Sequence, residues 1–183
     1  MRISWDSYFM LIAKTAALRS GCNSRPGGAI IVNPKTNRIV STGMTGTIPK
    51  SEQCTDNGVD YCRRRALGFA DAGNIKKYTI CPSIHAEENA LLMAQGDLKD
   101  FVMYCTLQPC PMCLKKIAAA GIHTVFFEHF YDSKNPYRDG EWLDLFDEYG
   151  VKGIPFVITE KVKEIAVNNI EHITSKRRLK ATD

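Results

Sequence analysis

The chain has 183 residues, of which 44% are hydrophobic and 24% are charged, and its formal net charge is +4. This balance is typical of a globular protein and predicts one domain over residues 1–183. The sequence has no run of about 18 apolar residues and no signal-peptide start, so we expect a cytoplasmic protein without a membrane span. So mild a positive charge makes a nucleic-acid partner unexpected, and an odd number of cysteines, seven, argues against a closed disulfide framework.

The first half of the chain predicts a helix, a hairpin and a long insertion. Apolar residues recur at helical spacing over residues 5–19, which predicts an amphipathic helix. Two β-rich runs at 29–33 and 38–42 flank a turn sequence and predict a hairpin. Residues 44–84 show no clear periodicity beyond a short helix at 61–72, and so long a stretch is rarely an idle connection. We expect this insertion to shape a site or an interface.

The second half of the chain alternates helices and strands. The predicted helices are 85–94, 110–120, 141–149 and 160–175, and the predicted strands are 101–106, 121–127 and 151–159. A strand, a helix and a strand in succession require a parallel crossover, whereas the hairpin is antiparallel. The predicted fold class is therefore α/β, with a mixed sheet of about five strands covered by helices.

Two short motifs, His85-Ala86-Glu87 and Pro109-Cys110-Pro111-Met112-Cys113, carry the predicted chemistry. If the second motif is the first turn of a helix, its two sulfur atoms reach one metal ion, and the helix N-terminus stabilises the thiolates. Each motif alone is a weak signal, because a Cys-x-x-Cys is often redox-active or structural and a histidine at a helix start is often a polar cap. Together they match the signature of zinc nucleobase deaminases.

The number of ligands favours a catalytic zinc ion over a structural one. A structural site normally closes with four protein ligands, whereas His85, Cys110 and Cys113 supply three and leave a position where water can be activated. Glu87 lies two residues beyond the histidine, so it can move protons without binding the metal. A structural zinc module without catalysis is the alternative, and it leaves Glu87 unexplained.

Segments around these motifs resemble one known family. They are residues 5–10, 19–20, 28–32, 39–43, 85–90, 103–106, 119–122 and 130–132. On these residues the chain resembles the deoxycytidylate (dCMP) deaminase family of the cytidine deaminase superfamily. The resemblance implies a three-layer αβα fold, catalytic Zn²⁺ and hydrolysis of dCMP to dUMP, which supplies thymidylate synthesis. It also implies a homo-oligomer, often a hexamer, that is activated by dCTP and inhibited by dTTP, with Mg²⁺ accompanying the allosteric nucleotide.

The resemblance also suggests where a nucleotide would lie. It implies that the main-chain amide of Ala86 and the main-chain carbonyl of Gln108 hold the base. The loop before the first strand offers Arg25 to a phosphate, with a solvated surface arginine as the alternative. Tyr131 either bounds the pocket or packs at the end of a strand.

Two positions depart from the family pattern near the expected sugar site. Thr45 stands where the family usually has an asparagine, and its hydroxyl has a shorter reach than an amide. Gly27 stands where a valine is usual. These departures leave dCTP or a modified dCMP open as substrates. Another zinc deaminase, acting on a nucleoside, tRNA adenosine, guanine or a pterin-like ring, is the nearest rival.

Three further cysteines in the insertion, Cys54, Cys62 and Cys81, are soft ligands that could hold a second, structural zinc ion. A fourth ligand is not evident in the sequence, so buried or idle thiols are the favoured interpretation.

Overall fold

Five β-strands form one mixed sheet in the order β2-β1-β3-β4-β5 in the computed structural model, which describes residues 2–69, 80–130 and 144–176. The strands are β1 (Gly28–Asn33), β2 (Arg38–Met44), β3 (Val102–Leu107), β4 (Thr124–His129) and β5 (Lys152–Pro155). β1 pairs antiparallel with both β2 and β3, whereas β3, β4 and β5 run parallel to one another. The hairpin and the parallel crossover were both predicted.

Helices flank the sheet. They are α1 (Trp5–Ala17), α2 (Arg63–Ala66), α3 (Ala86–Met93), α4 (Pro111–Ala119) and α5 (Glu160–Lys176). The insertion also contains a short 3₁₀ helix, Cys54–Asn57, and residues 144–148 are helical. Among the described residues, no helix combines the length and the apolar character that crossing a bilayer requires.

Two hydrophobic cores lie on opposite faces of the sheet, because successive strand residues point to opposite sides. On one face, Ile31 and Cys105 pack with residues of α3 and α4 such as Leu114. On the other, Ile30 and Tyr104 pack with residues of α1 and α5. This arrangement confirms the α/β fold class and the three layers αβα.

Two predicted strands are longer than the observed ones. The strand predicted at 121–127 begins only at Thr124, because Gly121 has a φ of +81° and follows the end of α4 in the left-handed conformation that often terminates helices. The strand predicted at 151–159 ends at Pro155. Phe156 donates a last hydrogen bond to Phe127 at 2.7 Å, and the chain then turns toward α5.

The start of α3 is held tightly against the sheet. A Cβ atom at Gly43 in β2 would lie 2.1 Å from the main-chain oxygen of Ala86, so only glycine allows this approach. Ser41 donates a hydrogen bond to the carbonyl of Ala90 at 2.6 Å, and Asn89 donates one to the carbonyl of Met44 at 2.7 Å. β2 therefore positions the helix that begins with the first predicted motif.

Candidate zinc and catalytic site

The structure brings the three predicted metal ligands together. Nδ1 of His85 lies 3.4 Å from Sγ of Cys110 and 3.5 Å from Sγ of Cys113, and the three ligand atoms are all within 4.8 Å of one another. One imidazole nitrogen and two thiol sulfurs are a donor set that zinc prefers. The residues therefore fit a zinc ion bound by three protein ligands.

Helix starts position these ligands. His85 is the N-cap of α3 and Cys110 is the N-cap of α4, where Pro111 occupies an early helical position that requires no amide donor. Cys113 follows in the first turn of α4, as the spacing predicted. Both helices pack on the same face of the sheet, so the two N-termini meet.

Each of the two thiols changes the pKa of the other. Hydrogen bonds with Cys113 and His85 lower the pKa of Cys110 to about 4, although burial acts in the opposite direction. The interaction with Cys110 raises the pKa of Cys113, because a thiolate at Cys113 would place a second negative charge beside the thiolate of Cys110. The interaction with Cys110 raises the pKa of His85 to about 9. A dication would release these protons and hold both sulfurs as thiolates.

Glu87 is a buried carboxyl group beside the metal ligands. Its exposed fraction is 8%, and burial raises its pKa to about 7, with the charge of His85 opposing that rise. A carboxyl group whose pKa lies near neutral pH can both accept and return a proton.

A cleft bordered by Glu87 and two of the three metal ligands is also lined by four of the five predicted substrate contacts. Arg25, Thr45, Ala86 and Gln108 all line it, together with His85 and Cys110. The fifth predicted contact, Tyr131, lies outside the residues that the structure describes. Gln108 is held by its main-chain amide, which donates a hydrogen bond to the carbonyl of His129 at 2.8 Å.

Arg64, Cys81 and Ser83 of the insertion also line the cleft, and of these Arg64 and Ser83 were not among the predicted site residues. The run Arg63-Arg64-Arg65 beside Cys62 is the only sequence pattern near Arg64, and it does not indicate which of the three arginines lines a cleft. The insertion does shape the site, as its length suggested.

The cysteines of the insertion are separate from the three-ligand group. Among the described residues, His85, Cys110 and Cys113 form the only set of three ligand atoms within 4.8 Å of one another, and Cys54, Cys62 and Cys81 do not form a second. Cys54 and Cys62 are buried and Cys81 is half-buried. Buried or idle thiols stay the prediction for these three residues, and a second zinc site stays the less favoured alternative.

Comparisons with known proteins agree with this geometry. The model of the cytidine and deoxycytidylate deaminase zinc-binding region matches residues 3–129. The deoxycytidylate deaminase of Mycobacterium phage D29 is 37% identical over 131 residues, which cover 69% of this chain and 95% of that protein. The deoxycytidylate deaminase of Saccharomyces cerevisiae is 33% identical over 169 residues, or 91% of this chain and 49% of that protein. The chain thus spans about half the length of the yeast relatives that it matches.

A solved structure shows the same fold. The dCMP deaminase from the cyanophage S-TIM5, in complex with dCMP and dUMP, aligns with a TM-score of 0.63 over 85% of this chain and 99% of that chain, at 24% identity. With a family model that matches most of the chain, and a relative of 37% identity of which the chain covers 95%, this chain belongs to the deoxycytidylate deaminase family within the zinc-binding cytidine and deoxycytidylate deaminases.

Proposed function

We propose that the chain catalyses the zinc-dependent hydrolysis of dCMP to dUMP and ammonia, and that it supplies dUMP for thymidylate synthesis. The observation that carries this proposal is the buried carboxyl of Glu87, which shares one cleft with His85, Cys110 and two arginines. Relatives named deoxycytidylate deaminase in yeast and in phage D29 support the choice of substrate.

His85, Cys110 and Cys113 would hold the zinc ion. Zinc with an open coordination position lowers the pKa of water and so supplies a nucleophile near neutral pH. The two thiolates lie at the first turn of α4, where the helix dipole stabilises their negative charge. Because the ligands come from α3 and α4, metal binding also ties these two helices together.

Glu87 would move the protons of the reaction. Its carboxylate would accept a proton from the attacking water and pass it to N3 of the cytosine ring. It would then accept the second proton, from the hydroxyl group formed on C4, and pass it to the amine, which leaves C4 as ammonia. Burial favours this exchange because it keeps the pKa near neutral pH, where neither protonation state is strongly preferred.

The N-terminus of α3 would hold the base. The amide of Ala86 lies in the first turn, where main-chain donors have no partner within the helix, so it can donate to an acceptor on the pyrimidine. The carbonyl of Gln108 would accept a hydrogen bond from the exocyclic amine. Arg25 would contribute to phosphate binding, and Tyr131 is proposed to bound the pocket.

We also propose, on the family resemblance, a cytoplasmic homo-oligomer, often a hexamer, that dCTP activates and dTTP inhibits, with Mg²⁺ accompanying the effector. Light scattering coupled to size-exclusion chromatography tests the assembly. Rate measurements with each effector at subsaturating dCMP test the regulation.

An ammonia-release screen of the zinc-loaded chain tests the reaction. We expect release from dCMP to exceed release from dCTP, deoxycytidine, CMP and adenosine. Preference for dCTP would support the substrate that Thr45 leaves open. Zinc binding without ammonia release from any compound would support a non-catalytic zinc module and would overturn the proposal.

A further inference from the structure

Two buried polar atoms lack a hydrogen-bond partner among the residues that the structure describes. They are Nε of Arg64 and Oγ of Ser83. Buried polar groups in folded proteins are nearly always paired, so an unpaired donor needs an explanation, and a ligand is one. Both residues line the cleft that contains Glu87, so the two unsatisfied groups border the same space.

The segment that carries Ser83 is fixed relative to the catalytic residues. Its neighbour Ile84 exchanges two main-chain hydrogen bonds with Gly46, at 2.8 and 3.2 Å. His85 follows directly and lies with the metal ligands. The hydroxyl of Ser83 is thus held at the wall of the cleft, and rotation about its C–O bond lets it donate to a ligand there.

The side chain of Arg64 is hydrogen-bonded to the thiol of Cys62. A guanidinium is always protonated in proteins, so Arg64 brings a fixed positive charge to the lining of the cleft. Its Nε has no hydrogen-bond partner among the described residues, and Nε and one Nη form the planar fork that fits two phosphate oxygens.

The charges around the cleft favour an anionic ligand. Arg25 is a second cation in its lining, and Glu87, beside the metal ligands, is the only acidic residue among the described residues that line it. We propose that Arg64 and Ser83 form the subsite for the 5′-phosphate of the nucleotide, an inference that rests on the proposed function. A cytosine at Glu87 would direct its phosphate toward them.

Steady-state kinetics of the zinc-loaded chain test this subsite. We expect Arg64→Gln to raise KM for dCMP by about tenfold or more, as loss of a charge-assisted hydrogen bond does, and to leave KM for deoxycytidine within about twofold. Ser83→Ala should raise KM for dCMP by about threefold or more, since one neutral hydrogen bond is lost. Arg63→Gln is the matched control, because Arg63 is exposed in the same helix and does not line the cleft, and it should change neither constant.

Binding measurements separate this inference from the proposed reaction. Calorimetry with dUMP and with deoxyuridine requires no turnover, and we expect wild type to prefer dUMP and Arg64→Gln to lose most of that preference. If wild type releases no ammonia but prefers dUMP to deoxyuridine, and Arg64→Gln loses that preference, the proposed reaction is wrong and the phosphate subsite is supported. Unchanged dUMP binding by Arg64→Gln, or equal losses for nucleotide and nucleoside, overturns the subsite. If Arg64→Gln does not fold, Ser83→Ala provides the test instead, and unchanged binding of dUMP by Ser83→Ala overturns the subsite.

Discussion

A Cβ atom built on Gly27 would lie 2.9 Å from Oγ1 of Thr45. The two residues are also joined by a main-chain hydrogen bond, in which Thr45 donates to the carbonyl of Gly27 at 2.9 Å. Both line the cleft. They are also the two positions at which the sequence resemblance indicates a departure from the family pattern, near the expected sugar site. The residue type at position 27 therefore depends on the residue type at position 45, because the hydroxyl of Thr45 borders the space beside Gly27 that a larger side chain would need.

This contact predicts that Gly27→Ala destabilises the fold only while Thr45 keeps its hydroxyl. We expect a cost of about 1–3 kcal/mol in wild type, as for other overpacked sites, because threonine is stiff about χ1 and buried here. In a Thr45→Ala background the cost should fall by at least half. Urea unfolding of the four proteins of this double-mutant cycle measures the coupling, and additive costs would refute the steric explanation.

Glu87→Gln should abolish catalysis but keep the metal. Because Glu87 is proposed for several proton transfers, each worth about 10²–10⁴-fold, we expect ammonia release from dCMP to fall by at least about 10³-fold. Glu88→Gln is the matched control, since Glu88 is the adjacent acid in α3 and pairs with Lys116 outside the cleft. Elemental analysis should find equal zinc in all three proteins. Activity of Glu87→Gln within tenfold of wild type would remove Glu87 from the mechanism.

Cys110→Ala should lose both the zinc and a large part of the stability, because metal binding free energy contributes to folding. The control is Cys105→Ala, because Cys105 is equally buried and borders the same cleft but is not one of the three grouped ligands. We expect Cys105→Ala to keep its zinc. Zinc content and melting temperature, with and without a chelator, provide the comparison. A full zinc equivalent in Cys110→Ala would show that the ligand set is different.

An ion pair between α1 and β4 predicts a stability effect remote from the cleft. Nζ of Lys14 lies 2.5 Å from Oε2 of Glu128, which is buried, while Lys14 is partly exposed. Lys14→Met leaves the buried carboxylate without its principal partner, although His129 lies 3.5 Å from the same oxygen. We expect a loss of about 1–3 kcal/mol in chemical unfolding, and partial recovery when Glu128→Gln is added. Equal stability of Lys14→Met and wild type would show that the pair contributes nothing.

The sequence by itself determined the features that depend on short-range spacing. A separation of three positions brings Cys110 and Cys113 to one point at the start of a helix, and a separation of two places Glu87 beside His85. Strand and helix periods likewise predicted the mixed sheet, because burial on one face imposes a repeat that can be read along the chain.

Only the tertiary structure decided how the insertion and the distant loops meet the site. Arg64 and Ser83 belong to a stretch without a repeat, so no local pattern distinguishes the arginine of the cleft from its exposed neighbour Arg63. The contact between Gly27 and Thr45 depends on the register of β1 against β2, which pairs Gly28 with Met44. Such contacts join residues far apart in sequence, and packing and strand register, rather than residue type, bring them together.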